Sequence, residues 1–199
     1  MARIDLTSFQ QIINAMPIEL YHVLSYSLSY LTFHLEKSSS VQPINPVQHD
    51  KKVNHALNEE HVTNRRLLHE VLLFMSYCCL DNAKFQQYFR FGDDKTDLIN
   101  KLCQLPFEYF SQYQSMKILF PTLITCTYQN DANCKVLNTV LNKKHLSQFI
   151  IKTYHQKRNP VNKLPQNKKP PCNVSTHFEL EKRFPIRLWR SAIQFYNNN

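Results

Sequence analysis

Glycine is nearly missing: Gly92 alone in 199 residues, where ordinary usage of roughly 7% would give about fourteen. Phosphate-cradling loops need glycine, because backbone N–H groups must approach the ligand at positive φ with no Cβ in the way. A dinucleotide fingerprint, a Walker loop or a nucleophile elbow therefore cannot be written in this chain. Tight primed hairpin turns are also disfavoured, since Asn or Asp would have to take the positive-φ positions. Acid is missing from one long stretch, with no Asp or Glu between Asp131 and Glu179. Long apolar runs are missing too. The strongest, Val71 to Leu80, is broken by Ser76 and falls short of the ~20 residues that cross a bilayer. Ile18 to Leu35 carries Glu19, His22 and His34 inside it and reads as a buried helix. Met1 to Gln10 contains Asp5 and lacks an apolar h-region, so no secretory leader is expected.

What is present is apolar and aromatic: 43% hydrophobic residues, with 13 Phe, 10 Tyr and Trp189. That is enough to bury a core. Cys78, Cys79, Cys103 and Cys126 lie in apolar runs, while Cys134 and Cys172 fall at more polar positions. Cysteines so placed read as small hydrophobes in a reduced, cytosolic chain.

The +9 net charge is uneven. Residues 1–142 hold 12 Lys+Arg against 13 Asp+Glu, whereas residues 143–199 hold 12 against 2. The acid-free stretch contains Lys135, Lys143, Lys144, Lys152, Lys157, Arg158, Lys163, Lys168 and Lys169. Crowding so many cations raises a positive potential that an anionic partner relieves. These nine are the candidate contacts to RNA or another polyanion. A solvated basic linker is the competing reading, because the part from Asn159 to Asn173 is proline-rich.

Apolar spacing of three and four predicts helices over most of the chain. Leu6 to Met16 ends at Pro17, which can open the next helix at its first position. Ile18 to Glu36 follows, with Leu20, Val23, Leu24, Leu28, Leu31 and Leu35 as its apolar set. Val53 to Leu80 is the longest segment and is apolar on two sides, through Leu68, Val71, Leu72, Met75 and Cys79 and through Leu67, Phe74 and Cys78. A helix of that kind sits between neighbours. Asn82 to Phe91 predicts a short helix closed by Gly92, and Asp93 to Leu105 another, capped by Asp94 or Thr96. Pro106 to Ser111 reads as an aromatic turn. Pro121 predicts a kink or a break within Met116 to Tyr128. Further helices are expected over Ala132–Leu141 and Leu146–Tyr154. Thr176 and Glu179 form a capping-box pattern, and Pro185 opens the last helix. The expected class is all-α, an irregular HEAT- or armadillo-like array of about nine to ten helices. An irregular bundle is the competing architecture. The divisions are residues 1–36, a linker 37–50, a core 51–158, a basic loop 159–175 and C-terminal helices 176–199 packed on the core.

Reactive chemistry finds no support. Adjacent Cys78 and Cys79 point about 100° apart on a helix and make no metal clamp. His69-Glu70 begins a zincin-like match that Leu73 ends. No enzyme, metal, cofactor or small-molecule substrate is expected. Arg65-Arg66-Leu67-Leu68 matches a short basic-apolar cyclin-docking pattern, which makes Arg65 and Arg66 candidate protein contacts. Leu67 and Leu68 are both expected to pack inside.

Three strings occur in a recognisable order: Leu67 to Val71 (LLHEV), Lys101 to Ser111 (KLCQLPFEYFS) and Lys117 to Ile124 (KILFPTLI), followed by Arg183-Phe184-Pro185 and Trp189. In this the chain resembles the C-terminal region of the family of S-phase cyclin A-associated proteins in the endoplasmic reticulum, over about residues 65–196. The resemblance implies a non-enzymatic helical adaptor in the cytosol or at the cytosolic face of the endoplasmic reticulum. It also implies protein-complex partners, cyclin A among them, and a role at the ribosome in tubulin mRNA decay. Family members are longer, with zinc-finger-like and coiled-coil segments upstream, so this sequence is expected to be the terminal portion. The alternative reading is a direct RNA-binding helical module acting through its basic C-terminal third.

Overall fold

A computed structural model of the chain describes residues 6–40, 51–91, 97–158 and 178–198, with side chains given for most of them. Among these residues the protein is all-α, with eleven α-helices and a 3-10 turn at Ile186–Leu188. The order is α1 (Leu6–Ala15), α2 (Pro17–Ser40), α3 (Lys51–Cys79), α4 (Ala83–Tyr88), α5 (Leu98–Cys103) and α6 (Glu108–Ser111). It continues with α7 (Tyr113–Thr127), α8 (Asp131–Asn138), α9 (Lys144–Arg158), α10 (Leu180–Arg183) and α11 (Trp189–Asn197).

The long helices form a series. α3 packs between α2 and α7, α7 also meets α9, and α9 meets α11. Leu68, Leu72, Met75 and Cys79 are buried along α3, as its two-sided apolar pattern requires. Leu24, Leu28, Leu31 and Leu35 are buried along α2. Fully burying a Leu is worth about 1.5–3 kcal/mol, so this seam alone holds α2 in place. Lys101 of α5 reaches the same helix, donating to Ser25 O at 3.2 Å, Ser25 Oγ at 2.7 Å and Ser29 Oγ at 2.8 Å.

Shortage of glycine shows at the helix ends. α3 and α7 both stop at a non-glycine residue of positive φ, Asp81 at 50° and Gln129 at 57°. Each such residue costs about 1 kcal/mol that glycine would not. The next residue is an Asn that caps the following helix: Asn82 accepts from Phe85 N and Asn130 from Asn133 N, both at 3.0 Å. The turns match at a constant offset along the chain, as do two further contacts, Gln86 to Cys79 C=O and Cys134 Sγ to Thr127 C=O. So one turn unit is used twice, although no sequence period announces it. Stacking of HEAT-type repeats beyond this pair of turns stays an expectation.

Several expectations are corrected. Of the two outcomes open at Pro121, a kink or a break, the break is excluded, since the residue lies inside a single helix, α7. Residues 106–111 include the short helix α6 rather than only a turn. Asp97, not Asp94 or Thr96, caps α5, its carboxylate accepting from Asn100 N at 2.6 Å; Gly92, Asp94 and Thr96 lie outside the described residues. Thr176 does too, and Glu179 stands at the start of α10 with no side-chain cap bond. Cys134 is buried despite its polar neighbours. Leu67 is 51% exposed and Val23 also faces outward, because each lies one step off the buried stripe of its helix.

The C-terminal helices are pegged to α3 and α7 by polar contacts in an apolar surround. Arg183 is fully buried. Its guanidinium donates to Ile118 C=O at 2.6 Å, to Leu72 C=O at 3.1 Å and to Thr122 Oγ1. One planar, charged fork thereby bonds α3 and α7 at once, through a carbonyl of each helix and the Thr122 hydroxyl. Desolvation pulls the Arg183 pKa down to about 9, so it stays charged at neutral pH. Tyr196 Oη meets Thr127 Oγ1 at 2.9 Å and Ile124 C=O at 3.1 Å, and Trp189 Nε1 donates to Phe184 C=O at 3.0 Å.

Candidate polyanion interface

α9 is amphipathic. Leu146, Phe149 and Ile150 are buried, with Phe149 against Phe120 of α7 at 5.2 Å between ring centroids. Helical periodicity then turns Lys144, Gln148, Lys152, His155 and Arg158 to the other side, and all five are exposed. No carboxylate pairs with Lys144, Lys152 or Arg158 among the described residues. Lys152 Nζ lies 4.5 Å from the Tyr113 ring centre, and Lys117 of α7 lies 4.9 Å from the same ring. A ring face attracts a cation by roughly 0.5–1 kcal/mol at an exposed site, which positions both ammonium groups without neutralising them. Arg158 sits over Tyr154 at 5.7 Å.

Not all the predicted cations join this face. Lys157 is ion-paired to Glu181 on another side of α9. Lys143 is half-buried and packs over Phe195 at 5.9 Å. Lys135 is exposed on α8. Lys163, Lys168 and Lys169 lie outside the described residues. Lys117 was missed by sequence reading because it belongs to the charge-balanced part of the chain. Its i, i+4 spacing from Tyr113 was the available signal.

The candidate docking arginines part company. Arg65 Nη2 meets Glu108 at 3.2 Å and His61 Nε2 at 3.2 Å, whereas Arg66 is exposed. Leu68 is in the core, so the four-residue pattern does not lie on one open surface. Beneath Arg65, His69 Nε2 meets Tyr109 Oη at 2.9 Å. Burial, helped by the nearby charges of Arg65 and Arg183, lowers the His69 pKa to about 4. Burial likewise pushes the Tyr109 hydroxyl up, so both groups are neutral at pH 7 and the contact is structural.

Other openings offer little chemistry. A cleft beside the paired turns is lined by Asn82, Gln86, Thr125 and Tyr128, but its polar groups already serve each other. Gln86 donates to Thr125 C=O at 2.8 Å and accepts from Asn130 at 3.2 Å, and Tyr128 Oη meets Ser191 at 2.8 Å. Cys79 and Cys126 lie 3.5 Å apart, fully buried, with desolvation raising the Cys79 thiol well above its usual pKa. A thiol held neutral in the core is a poor nucleophile.

Comparison with known proteins yields a clear relative. The chain is 35% identical over 135 residues to the human S phase cyclin A-associated protein in the endoplasmic reticulum, a match that covers 68% of this chain. The family resemblance is thereby shown. The chain spans about a tenth of the length of that relative. No protein-family profile matches the chain, and no solved structure does. Among the described residues no helix is long and apolar enough to cross a membrane.

Proposed function

We propose that the chain is a non-enzymatic adaptor module that engages an anionic partner, ribosomal RNA in the first instance, through the outward side of α9. One observation carries the reading. Lys144, Lys152 and Lys117 are presented by packed helices and lack carboxylate partners among the described residues, while the opposite side of α9 is locked into the core. A backbone-phosphate interface needs fixed cations of this kind and no base-reading groups. The resemblance adds the setting: ribosome-linked decay of tubulin mRNA at the cytosolic face of the endoplasmic reticulum. The name of the human relative adds cyclin A as a protein partner. Lys135, Lys163, Lys168 and Lys169 stay candidate contacts on their charge alone.

The test is cosedimentation of the chain with purified ribosomes and binding to RNA oligonucleotides across a salt series. Retention that falls steeply with salt is expected, and charge reversal of Lys144 and Lys152 together should weaken it at least tenfold. Retention indifferent to both salt and charge reversal would overturn the reading. Direct RNA binding by the basic third alone is the second reading. It is favoured if the double reversal also abolishes capture of every protein partner, whereas the adaptor reading expects those partners to be kept.

A further inference from the structure

α2 carries two apolar stripes back to back, and only one of them is covered. Tyr21, Leu24, Leu28, Leu31 and Leu35 face inward and are buried. Val23, Tyr26, Tyr30 and Phe33 face outward and are 60%, 72%, 44% and 61% exposed. Three rings exposed to this degree, with a valine beside them, amount to a few hundred Å² of contiguous apolar surface, the size that marks a contact site on a soluble protein. The spacing is three, four, three, which is the a and d seam of a heptad. Tyr26 and Tyr30 already stack, at 6.2 Å and 24° between rings, so the seam is arranged before any partner arrives.

A heptad seam calls for another helix with the same repeat, and we infer that the occupant is α2 of a second copy, crossing antiparallel. In that arrangement each a position faces a d position of the partner. With the crossing centred at Leu28, Val23 meets Phe33 of the second copy and Tyr26 meets Tyr30, so a small residue faces a large one and the two tyrosines interleave. The same register brings Glu19 opposite Lys37 at both ends of the seam, both being exposed on α2, so that Lys37 exchanges its contact within the chain for one across the seam. A parallel crossing would set Glu19 against Glu19 and Lys37 against Lys37 and lose that complementarity. Flanking positions are His22, Ser27, Ser29 and His34, which set no strong like charges against each other. The strongly basic part of the chain lies beyond residue 142, so joining copies through α2 does not require the cationic α9 faces to meet. This inference is independent of the polyanion reading.

The decisive measurement is sedimentation equilibrium of the full 199-residue chain over the micromolar range. A reversible monomer–dimer equilibrium is expected. Tyr30→Asp, which lies outside the core, should abolish the dimer while circular dichroism stays unchanged, as does the urea midpoint measured at concentrations where both chains are monomeric. Glu19→Lys should weaken dimerisation roughly tenfold, and adding Lys37→Glu in the same chain should restore it, since the pair is then reversed rather than lost. Three results would overturn the proposal: a chain that stays monomeric at every concentration, a dimer indifferent to Tyr30→Asp, or a charge swap that fails to restore association. Monomers that instead take up lipid vesicles through this stripe would assign it to a different occupant and would also refute it.

Discussion

The two flanks of the α3–α7 pair are built on opposite chemistry. α2 is held by an apolar seam of Tyr21 and four leucines and turns a second apolar stripe to solvent. On the other side, α9, α10 and α11 are held partly by polar pegs, the buried Arg183 fork and the Tyr196 hydroxyl above all, and turn cations to solvent. An apolar seam is non-directional, and the Lys101 bonds to Ser25 and Ser29 add a directional contact to it. A hydrogen-bonded peg fixes direction and register at the cost of desolvating a charge.

That contrast breaks most visibly at Arg183. Arg183→Ala should cost about 3–5 kcal/mol, because it removes one of the largest buried side chains and its bonds to the Ile118 and Leu72 carbonyls. The urea midpoint measures it, with the dependence on denaturant unchanged if the rest of the fold persists. A loss under 1 kcal/mol would show that α10 is held by its apolar neighbours alone. Beside it, His69 gives the pegged flank a dependence on pH. Its folded pKa of about 4 lies below the ordinary 6.5, so the fold binds fewer protons than the unfolded chain. Stability is then complete above pH 6.5 and falls as pH drops through 4, by up to about 3 kcal/mol. His69→Gln should flatten that slope in acid unfolding curves; an unchanged slope would place the titration elsewhere.

Much of this fold is legible in the residues. Heptad-like spacing located α2, α3, α7 and α9, and Pro17 marked the opening of α2. The two-sided pattern of α3 placed it between neighbours. Three features were not legible. Val23 and Leu67 are apolar, and their spacing alone did not say that the covering helix stops one step short of them. Pro121 left a kink and a break both open, and only the continuous α7 decides against the break. The cations of residues 143–158 read as one cluster, whereas helical rotation sends Lys157 to Glu181 and Lys143 to Phe195. Charge counting along a chain gives the sum of a field and not its direction.

On the cationic flank the expected effect is on binding and not on folding. Lys144→Glu with Lys152→Glu should leave the urea midpoint within about 0.5 kcal/mol of the parent, as exposed substitutions do. The slope of log affinity against log salt for RNA should shrink by about two phosphate equivalents. Lys157→Glu is the internal control. It exchanges an ion pair with Glu181 for a repulsion and so should disturb α10 while changing the slope less. A larger binding loss from Lys157→Glu than from the double reversal would move the interface to the α10 side.

The smallest effect expected is also the sharpest test of the apolar flank. Val23 and Leu24 are sequence neighbours on one helix, and only Leu24 belongs to the covered seam. Leu24→Ala should cost about 2–4 kcal/mol through lost burial and the cavity it leaves. Val23→Ala, at concentrations where the chain is monomeric, should change stability by less than about 0.5 kcal/mol, and its sign should be favourable if anything, since alanine is the better helix former. At higher concentration the ranking should alter for one reason only. If a second α2 covers the outer stripe, Val23→Ala gains a cost that grows with protein concentration, because the contact with Phe33 of the partner copy is then part of the folded state. A cost for Val23→Ala that is equally large at every concentration would mean that the outer stripe is already covered within one chain.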